Sequence, residues 1–189
     1  MGRPAHPDRA DEVLDCAVAF LAEHGLAGLS MRKLAAYLGV STNTISYQFG
    51  SKDGLIDAAL SRARASTLDM LTELRDEHPA LTVAEALRAL WSWWREKPER
   101  FAFPRLNMEA MLTADTAAIS ETRRRDLQAY WTDYFATWLV SEGRDRHEAE
   151  LMASLMLAAL TGLIVDFLST GDAERIDATV ELLAASLTS

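Results

Sequence analysis

Cysteine is nearly absent from this sequence of 189 residues, since Cys16 is the only one. A single cysteine excludes an intramolecular disulfide and a zinc site built from cysteines. Cys16 stands among apolar residues, so we expect a buried thiol. The four histidines include no pair spaced to place two ligands on one face of a helix. The sequence therefore predicts neither a metal centre nor another cofactor.

A secretion signal and a long uninterrupted apolar run are also missing. The N-terminus is polar and contains Pro4 and Pro7. The longest apolar stretch, residues 151–165, is interrupted by serine, threonine and glycine. It is shorter than the roughly 20 residues that a membrane-spanning helix needs. These absences predict a cytoplasmic protein that does not contact a membrane.

Positive charge is scarce, because 19 basic residues face 28 acidic ones and the formal net charge is −9. Residues 1–55 hold five basic and six acidic residues, so most of the acidity lies in the rest of the chain. A nucleic-acid partner would therefore be held by a few well-placed cations, such as Arg32, Lys33 and Lys52, rather than by a basic domain.

Helical periodicity is present along the whole chain, with apolar residues three and four apart between Gly and Pro positions. We predict an all-α fold of about nine helices. It comprises a flexible arm (1–7), a three-helix helix-turn-helix domain (8–55), a connecting helix (56–78) and a C-terminal domain for ligand binding and dimerisation (79–189). Arg3 in the arm could reach a DNA minor groove or belong to a disordered tail.

The stretch from residue 30 to residue 55 reads as two short helices followed by the start of a third. Leu34 and Leu38 share one face of the first helix, and Gly39 can end it. Ser41 is a suitable N-cap for the second helix, whose inward residues are Ile45 and Phe49. A short helix with a thin apolar seam and an exposed polar face is typical of the recognition helix of a helix-turn-helix.

This stretch closely resembles the DNA-binding domain of the TetR family of transcriptional regulators. The matching residues are Gly25, Leu29, Ser30, Arg32, Leu34, Ala35, Leu38, Gly39, Val40, Ser41, Thr44, Ile45, Tyr47, Phe49, Ser51, Lys52 and Leu55. Two departures are Ser46 and Gln48, which stand where many members carry Tyr and His. From the pattern and the resemblance together, we predict that DNA is contacted by Arg32, Lys33, Ser41, Thr42, Asn43, Thr44, Ser46, Tyr47, Gln48 and Lys52.

The resemblance also implies how such a protein works. It suggests a dimeric repressor that binds a palindromic operator in double-stranded DNA. A small apolar or aromatic effector would release the DNA by tilting the connecting helix. The operator sequence and the identity of the effector do not follow from the sequence.

Aromatic residues are concentrated in the C-terminal part, where all five tryptophans follow residue 80. They could fill the core of a helical domain or line an adaptable apolar pocket with nearby methionines. Glu109 and Asp166 are acids among apolar neighbours, and either could pair with a cationic ligand or belong to the surface or an interface. The predicted pocket residues are Trp91, Trp94, Phe101, Met108, Met111, Trp131, Tyr134, Phe135, Trp138 and Met156.

The predicted helix over residues 146–170 is apolar almost all round, which requires burial on every side. We expect a second subunit to cover part of it, through a four-helix bundle in which this helix and the next one pair with their two-fold copies. The predicted interface residues are Leu155, Ala159, Gly162, Leu163, Phe167, Ile176, Val180, Leu183 and Leu187.

Two other functions fit an all-α chain less well. An enzyme would need a nucleophile or an acid–base pair beside a positioned partner, and the scattered histidines supply none. A helical protein that binds small molecules without site-specific DNA binding remains the alternative.

Overall fold

The computed structural model describes the backbone of residues 7–112 and 121–188, and all regular elements within these ranges are helical. This confirms the predicted all-α fold of about nine helices. Arg3 and the rest of segment 1–6 lie outside the described residues. The helices are α1 (Pro7–His24), α2 (Met31–Leu38), α3 (Thr42–Phe49), α4 (Lys52–Glu77), α5 (Val83–Glu96), a 3₁₀ turn (Pro98–Phe101), α6 (Ala102–Leu112), α7 (Glu121–Ser141), α8 (Arg146–Thr170) and α9 (Ala173–Ser186).

Capping residues set the ends of several helices, among them the predicted caps Gly39 and Ser41. Gly39 has φ +65° at the end of α2, where its N–H reaches back to the carbonyls of Ala35 and Ala36. Glu85 accepts hydrogen bonds from the backbone N–H and the hydroxyl of Thr82, which forms a capping box at the start of α5. A proline inside a helix kinks or splits it, but Pro104 does neither. It lies in the first turn of α6, where a proline needs no hydrogen bond, and the 3₁₀ turn precedes that helix.

The chain divides into two compact units, each described here by itself. Unit 1 contains residues 1–68 and 97–120, and unit 2 contains residues 69–96 and 121–189. The division places α6 in unit 1, whereas the sequence analysis assigned it to the C-terminal domain (79–189). The physical reason is that Leu106 of α6 is fully buried in the same apolar core as Leu21 of α1 and Leu55 of α4.

Helices α1, α2, α3 and α6 and the first part of α4 form unit 1 around this core. From α1, Ala17 and Leu21 are fully buried, as are Leu34 of α2 and Ile45 of α3. Cys16 was expected to be buried, and this was wrong: it is exposed, because the buried face of α1 passes through its neighbour Ala17 instead.

Unit 2 packs α5, α7, α8 and α9 together. Its core includes the fully buried Leu139 of α7, Met156 of α8 and Ile176 of α9. Helix α8 was expected to need a second subunit to cover part of its apolar surface, and within the subunit one side of it is open, with Leu155 68% exposed there. In the described part of the chain, α8 is also the one helix whose length and apolar composition would suit a membrane span, a test that core helices of soluble proteins pass as well.

Three of the predicted interface residues are corrected by the structure. Ile176, Val180 and Leu187 are buried inside unit 2 rather than presented at its surface. They form the stripe of α9 that faces the core of unit 2. Helical spacing shows that one face of a helix is buried, but it does not show whether the same subunit or a partner covers that face. Of the remaining predicted residues, Leu155 and Gly162 are exposed, whereas the half-buried ones are Ala159, Leu163, Phe167 and Leu183.

Candidate nucleic-acid interface

Helix α3 has one buried face and one polar face, as the sequence predicted. Ile45 is fully buried in the core of unit 1 and fixes the inner face of the helix. Thr42, Asn43, Ser46 and Tyr47 are exposed and follow one another at helical spacing on the outer face. Exposed hydroxyl and amide groups on one rigid face can read the edges of bases in a major groove.

Caps at both ends hold α3 in place. Ser41 Oγ accepts a hydrogen bond of 3.1 Å from the backbone N–H of Thr44, and it lies 2.9 Å from the Thr44 hydroxyl. At the other end, the N–H of Gly50 donates to the carbonyl of Ser46 over 2.9 Å. Because these contacts involve Thr44 in the capping of the helix, its hydroxyl is less free for DNA than the sequence suggested.

The ten predicted DNA contacts are not equally accessible. Tyr47 is 82% exposed, although tyrosine carries a large apolar ring. Thr44 and Gln48, four residues apart, are both half-buried and lie on the same side of α3. This leaves the outer face of α3 with the exposed residues Thr42, Asn43, Ser46 and Tyr47, and the N-cap Ser41 is exposed beside them.

Three cations stand near the ends of the neighbouring helices. Arg32 and Lys33 are exposed in the first turn of α2, whose N-cap Ser30 accepts a hydrogen bond from the N–H of Lys33. Lys52 is half-buried in the first turn of α4, where Ser51 caps the helix through the N–H of Gly54. A helix N-terminus with a cation beside it attracts a phosphate group.

The distribution of charge singles out unit 1 as the part that can approach DNA. By sequence, unit 1 contains ten basic and ten acidic residues, whereas unit 2 contains nine basic and eighteen acidic ones. The whole net charge of −9 is thus carried by unit 2. DNA would be repelled by unit 2 and accepted by the local cations of unit 1.

The predicted pocket residues divide between the units. Phe101 and Met108 belong to unit 1, and the side chain of Met111 lies outside the described residues. In unit 2, Trp91, Trp94, Trp131, Phe135, Trp138 and Met156 are buried, and Tyr134 is half-buried.

The buried rings of unit 2 are tied to one another and to the backbone. The ring of Tyr134 lies 5.2 Å from that of Phe135 and 6.2 Å from that of Trp138. Trp138 Nε1 donates to the carbonyl of Leu81 over 3.1 Å, and Trp91 Nε1 donates to Asp177 over 2.7 Å. Burial raises the pKa of the Tyr134 phenol. In the described residues these rings act as core packing.

An open groove of about 650 Å³ lies on the surface of unit 2, and none of the predicted pocket residues lines it. Helices α7 and α8 form it. Arg146 spans the groove, since it pairs with Glu150 on its own helix and with Asp133 on α7. The lining residues are Ala129, Thr132, Asp133, Arg146, His147, Glu150, Leu151 and Ser154. Within the described part of the chain, no group of His, Cys, Asp or Glu could hold a metal ion.

Several large apolar side chains of unit 2 are exposed on α8 and α9. Leu151, Leu155, Val165 and Leu168 are exposed along α8, and Leu182 is exposed on α9. We call these five residues the apolar surface. Large exposed apolar side chains grouped on neighbouring helices are typical of a protein–protein contact.

The sequence left the partner of Glu109 open and did not single out Arg105. Arg105 Nη1 donates to the carbonyl of Ala22, and Glu109 Oε2 accepts from the N–H of Leu26. The one signal in the sequence is the opposite charge of Arg105 and Glu109 at i, i+4 spacing. That spacing predicts a pair within α6, but it does not predict what the pair binds.

Residues 13–59 match the family model described as "Bacterial regulatory proteins, tetR family". A similar curated protein is the HTH-type transcriptional regulator BetI 2 of Chromohalobacter salexigens, which is 34% identical over 70 residues, 37% of this chain and 30% of that protein. The matches span between 30% and 57% of the length of the curated relatives. The family and these relatives are regulators of transcription rather than enzymes.

Solved structures show the same fold over nearly the whole chain. A putative TetR-family transcriptional regulator from Rhodococcus sp. has a TM-score of 0.78 at 19% identity, with coverage of 97% of this chain and 100% of that one. The multidrug binding protein EbrR, solved in complex with imidazole, has a TM-score of 0.68 at 22% identity, with coverage of 97% and 93%. At these identities the likeness establishes the fold.

Proposed function

We infer that this chain, whose residues 13–59 match the model of the TetR family of bacterial regulatory proteins, is a site-specific repressor of transcription. It would act as a homodimer on a palindromic operator in double-stranded DNA and be released by a small apolar or aromatic effector. The observation that carries this proposal is the outer face of α3, with four exposed polar side chains on a helix fixed by a buried residue.

The roles of the contact residues follow from their positions. Thr42 and Asn43 lie in the first turn of α3 on its exposed face, where side chains of a recognition helix reach base edges. Arg32, Lys33 and Lys52 would bind phosphates and fix the register of the protein on the duplex. The Tyr47 hydroxyl, on a ring that is almost fully exposed, would add a further phosphate contact.

The apolar surface supports the homodimer. A dimer that covers the exposed leucines of α8 and α9 would remove them from water, and each fully buried leucine side chain contributes roughly 1.5–3 kcal/mol. A two-fold dimer presents two copies of α3, which match two half-sites related by the same symmetry. The acidity of unit 2 would keep the rest of the dimer off the DNA.

The effector proposal is supported by the fold. The similar structure of EbrR is that of a multidrug binding protein, so this fold can hold small molecules. Helix α4 begins in unit 1 and ends in unit 2, so it can transmit a change in unit 2 to the DNA-binding unit. Release requires that the effector binds more tightly to the state with low DNA affinity. A regulator of this kind would act in the cytoplasm, where the DNA is.

A mobility-shift assay tests the proposal, with the DNA that flanks the protein's own gene as the probe and an excess of unrelated duplex as the competitor. We expect a shifted band that resists the competitor and weakens when Asn43→Ala replaces the wild type. Ser66→Ala is the matched control, since Ser66 is exposed on α4 outside the interface. Equal competition by all duplexes would favour the alternative, a helical small-molecule-binding protein without site-specific DNA binding.

A further inference from the structure

Two side chains of α6 contact the end of α1 and the turn that follows it within unit 1. Arg105 Nη1 donates to the carbonyl of Ala22 over 2.8 Å, and Glu109 Oε2 accepts from the backbone N–H of Leu26 over 2.6 Å. Arg105 Nε also donates to Glu109 Oε1 over 3.0 Å, so the two side chains support each other. We call Arg105 and Glu109 the α6 clamp. Between them on α6, Leu106 is fully buried in the core of unit 1.

The two groups that the clamp binds are the partners of a missing helical hydrogen bond. If α1 continued by one residue, the N–H of Leu26 would donate to the carbonyl of Ala22, four residues earlier. The helix ends at His24 instead, and Gly25 makes the last bond of this kind, to Leu21. The guanidinium of Arg105 donates to the carbonyl of Ala22, and the carboxylate of Glu109 accepts from the N–H of Leu26. Both groups of the unfinished turn are thereby satisfied.

The position of this contact matters for DNA binding, because the turn after Leu26 leads directly to α2. The N–H of Leu29 donates to the carbonyl of Leu26, and Ser30 then caps α2. The residue at which α1 ends therefore determines where α2 begins and how it lies on α1. Helix α3 follows α2 after three residues, so the same turn positions the recognition helix.

We propose that Arg105 and Glu109 are positioning residues for DNA recognition, although they follow α3 by more than fifty residues and need not touch DNA. The clamp holds α1 to its observed end and keeps the turn over residues 25–29 in one conformation. Without it, α1 can extend and the turn can sample other conformations. DNA binding must then select one of them, which lowers the affinity. This inference rests on the proposed DNA-binding function.

Exchanging the two charges tests the contacts of the clamp to α1 and its following turn, while the ion pair within α6 is kept. The double variant Arg105→Glu with Glu109→Arg keeps an ion pair at i, i+4 on α6. It places a carboxylate toward the Ala22 carbonyl and a guanidinium toward the Leu26 N–H, so both contacts to α1 are lost. The matched control is Arg144→Glu with Glu148→Arg in unit 2, because Arg144 likewise pairs at i, i+4 and donates to the carbonyl of Leu187.

The affinity is measured by fluorescence anisotropy on a duplex that the wild-type protein has selected from a random library. We expect the charge-exchanged clamp to bind this duplex about tenfold more weakly or worse, and the control exchange to bind it like the wild type. Wild-type affinity in the charge-exchanged clamp would overturn the inference and leave the proposed function intact. Failure of the wild-type protein to select any duplex would overturn both.

A second pair of variants tests the proposal independently if the double exchange fails to fold. Glu109→Gln retains an oxygen that accepts from the Leu26 N–H, whereas Glu109→Leu does not. We expect amide exchange at Leu26 to stay slow in Glu109→Gln and to accelerate at least tenfold in Glu109→Leu, with DNA affinity following the same order. Equal exchange and equal affinity in both variants would contradict a positioning role.

Discussion

Gly25 and Glu109 are fitted to each other, since a Cβ atom added to Gly25 would lie 2.9 Å from Glu109 Oε2. The same glycine has φ +68°, a conformation that side chains rarely adopt. Gly25 therefore serves twice, once by allowing α1 to end and once by leaving room for the carboxylate that binds Leu26.

Replacement of Gly25 by alanine should both strain the backbone and displace Glu109. We expect Gly25→Ala to lower the free energy of unfolding by roughly 1–3 kcal/mol and to weaken DNA binding. The matched control is Gly171→Ala, because Gly171 has φ +67° with nothing within 4 Å of an added Cβ. Thermal unfolding and anisotropy measure the two effects. If both variants lost stability alone and kept full DNA affinity, the fit between Gly25 and Glu109 would have no bearing on recognition.

Lys52 should contribute one phosphate contact. We expect Lys52→Ala to weaken binding to all duplexes by a similar factor. The slope of log K against the logarithm of the salt concentration should become shallower by about one, because about one fewer ion is released. Lys97→Ala removes the same charge at an exposed site outside the interface and should leave the slope unchanged. Titrations of one duplex at several salt concentrations measure both slopes, and identical slopes for the two variants would argue against a phosphate contact at Lys52.

Leu155 should lie at the centre of the dimer contact. It is 68% exposed on the open side of α8, so its replacement by aspartate costs the subunit little but places a charge in an apolar interface. We expect sedimentation velocity at micromolar concentration to show a dimer for the wild type and for the control Ser66→Asp. Leu155→Asp should sediment as a monomer. A Leu155→Asp protein that remains fully dimeric would exclude this surface as the interface.

The capping box of α5 should make part of the stability depend on pH. The backbone N–H of Thr82 and its hydroxyl hydrogen-bond to the Glu85 carboxylate and lower its pKa. A lowered pKa contributes stability that is complete above the ordinary pKa of the group and is lost as the pH falls through the lowered value. Glu85→Gln keeps an acceptor but does not titrate. Melting temperatures at about pH 7 and about pH 3 should therefore differ less in Glu85→Gln than in the wild type; an equal difference would rule out this contribution.

The local features of the fold could be predicted from the sequence, because they depend on neighbouring residues. Gly39 and Ser41 mark helix ends through their own backbone and side-chain preferences, and the seam of Ile45 and Phe49 shows which side of α3 faces inward. These signals predict the all-α fold and its helix boundaries to within a few residues. They also predict which polar side chains of α3 are exposed.

Long-range contacts could not be predicted in this way. The spacing of Ile176 and Val180 shows a buried stripe, but a core of the same subunit and a second subunit produce the same spacing. The partners of Arg105 and Glu109 are about eighty residues away in the sequence, and no local pattern points to them. The placement of α6 in unit 1 depends on the same contacts.

The most direct test of the account is the selection of binding sites from a random duplex library by the wild-type protein and by Asn43→Ala. We predict that the wild type enriches two inverted half-sites with centres about 34 Å apart or a multiple of that distance, one for each α3 of the dimer. Asn43→Ala should enrich the same arrangement with relaxed preference at one or two positions in each half-site. Wild-type protein that enriches no sequence, or enriches one that Asn43→Ala reads equally well, would contradict recognition through α3.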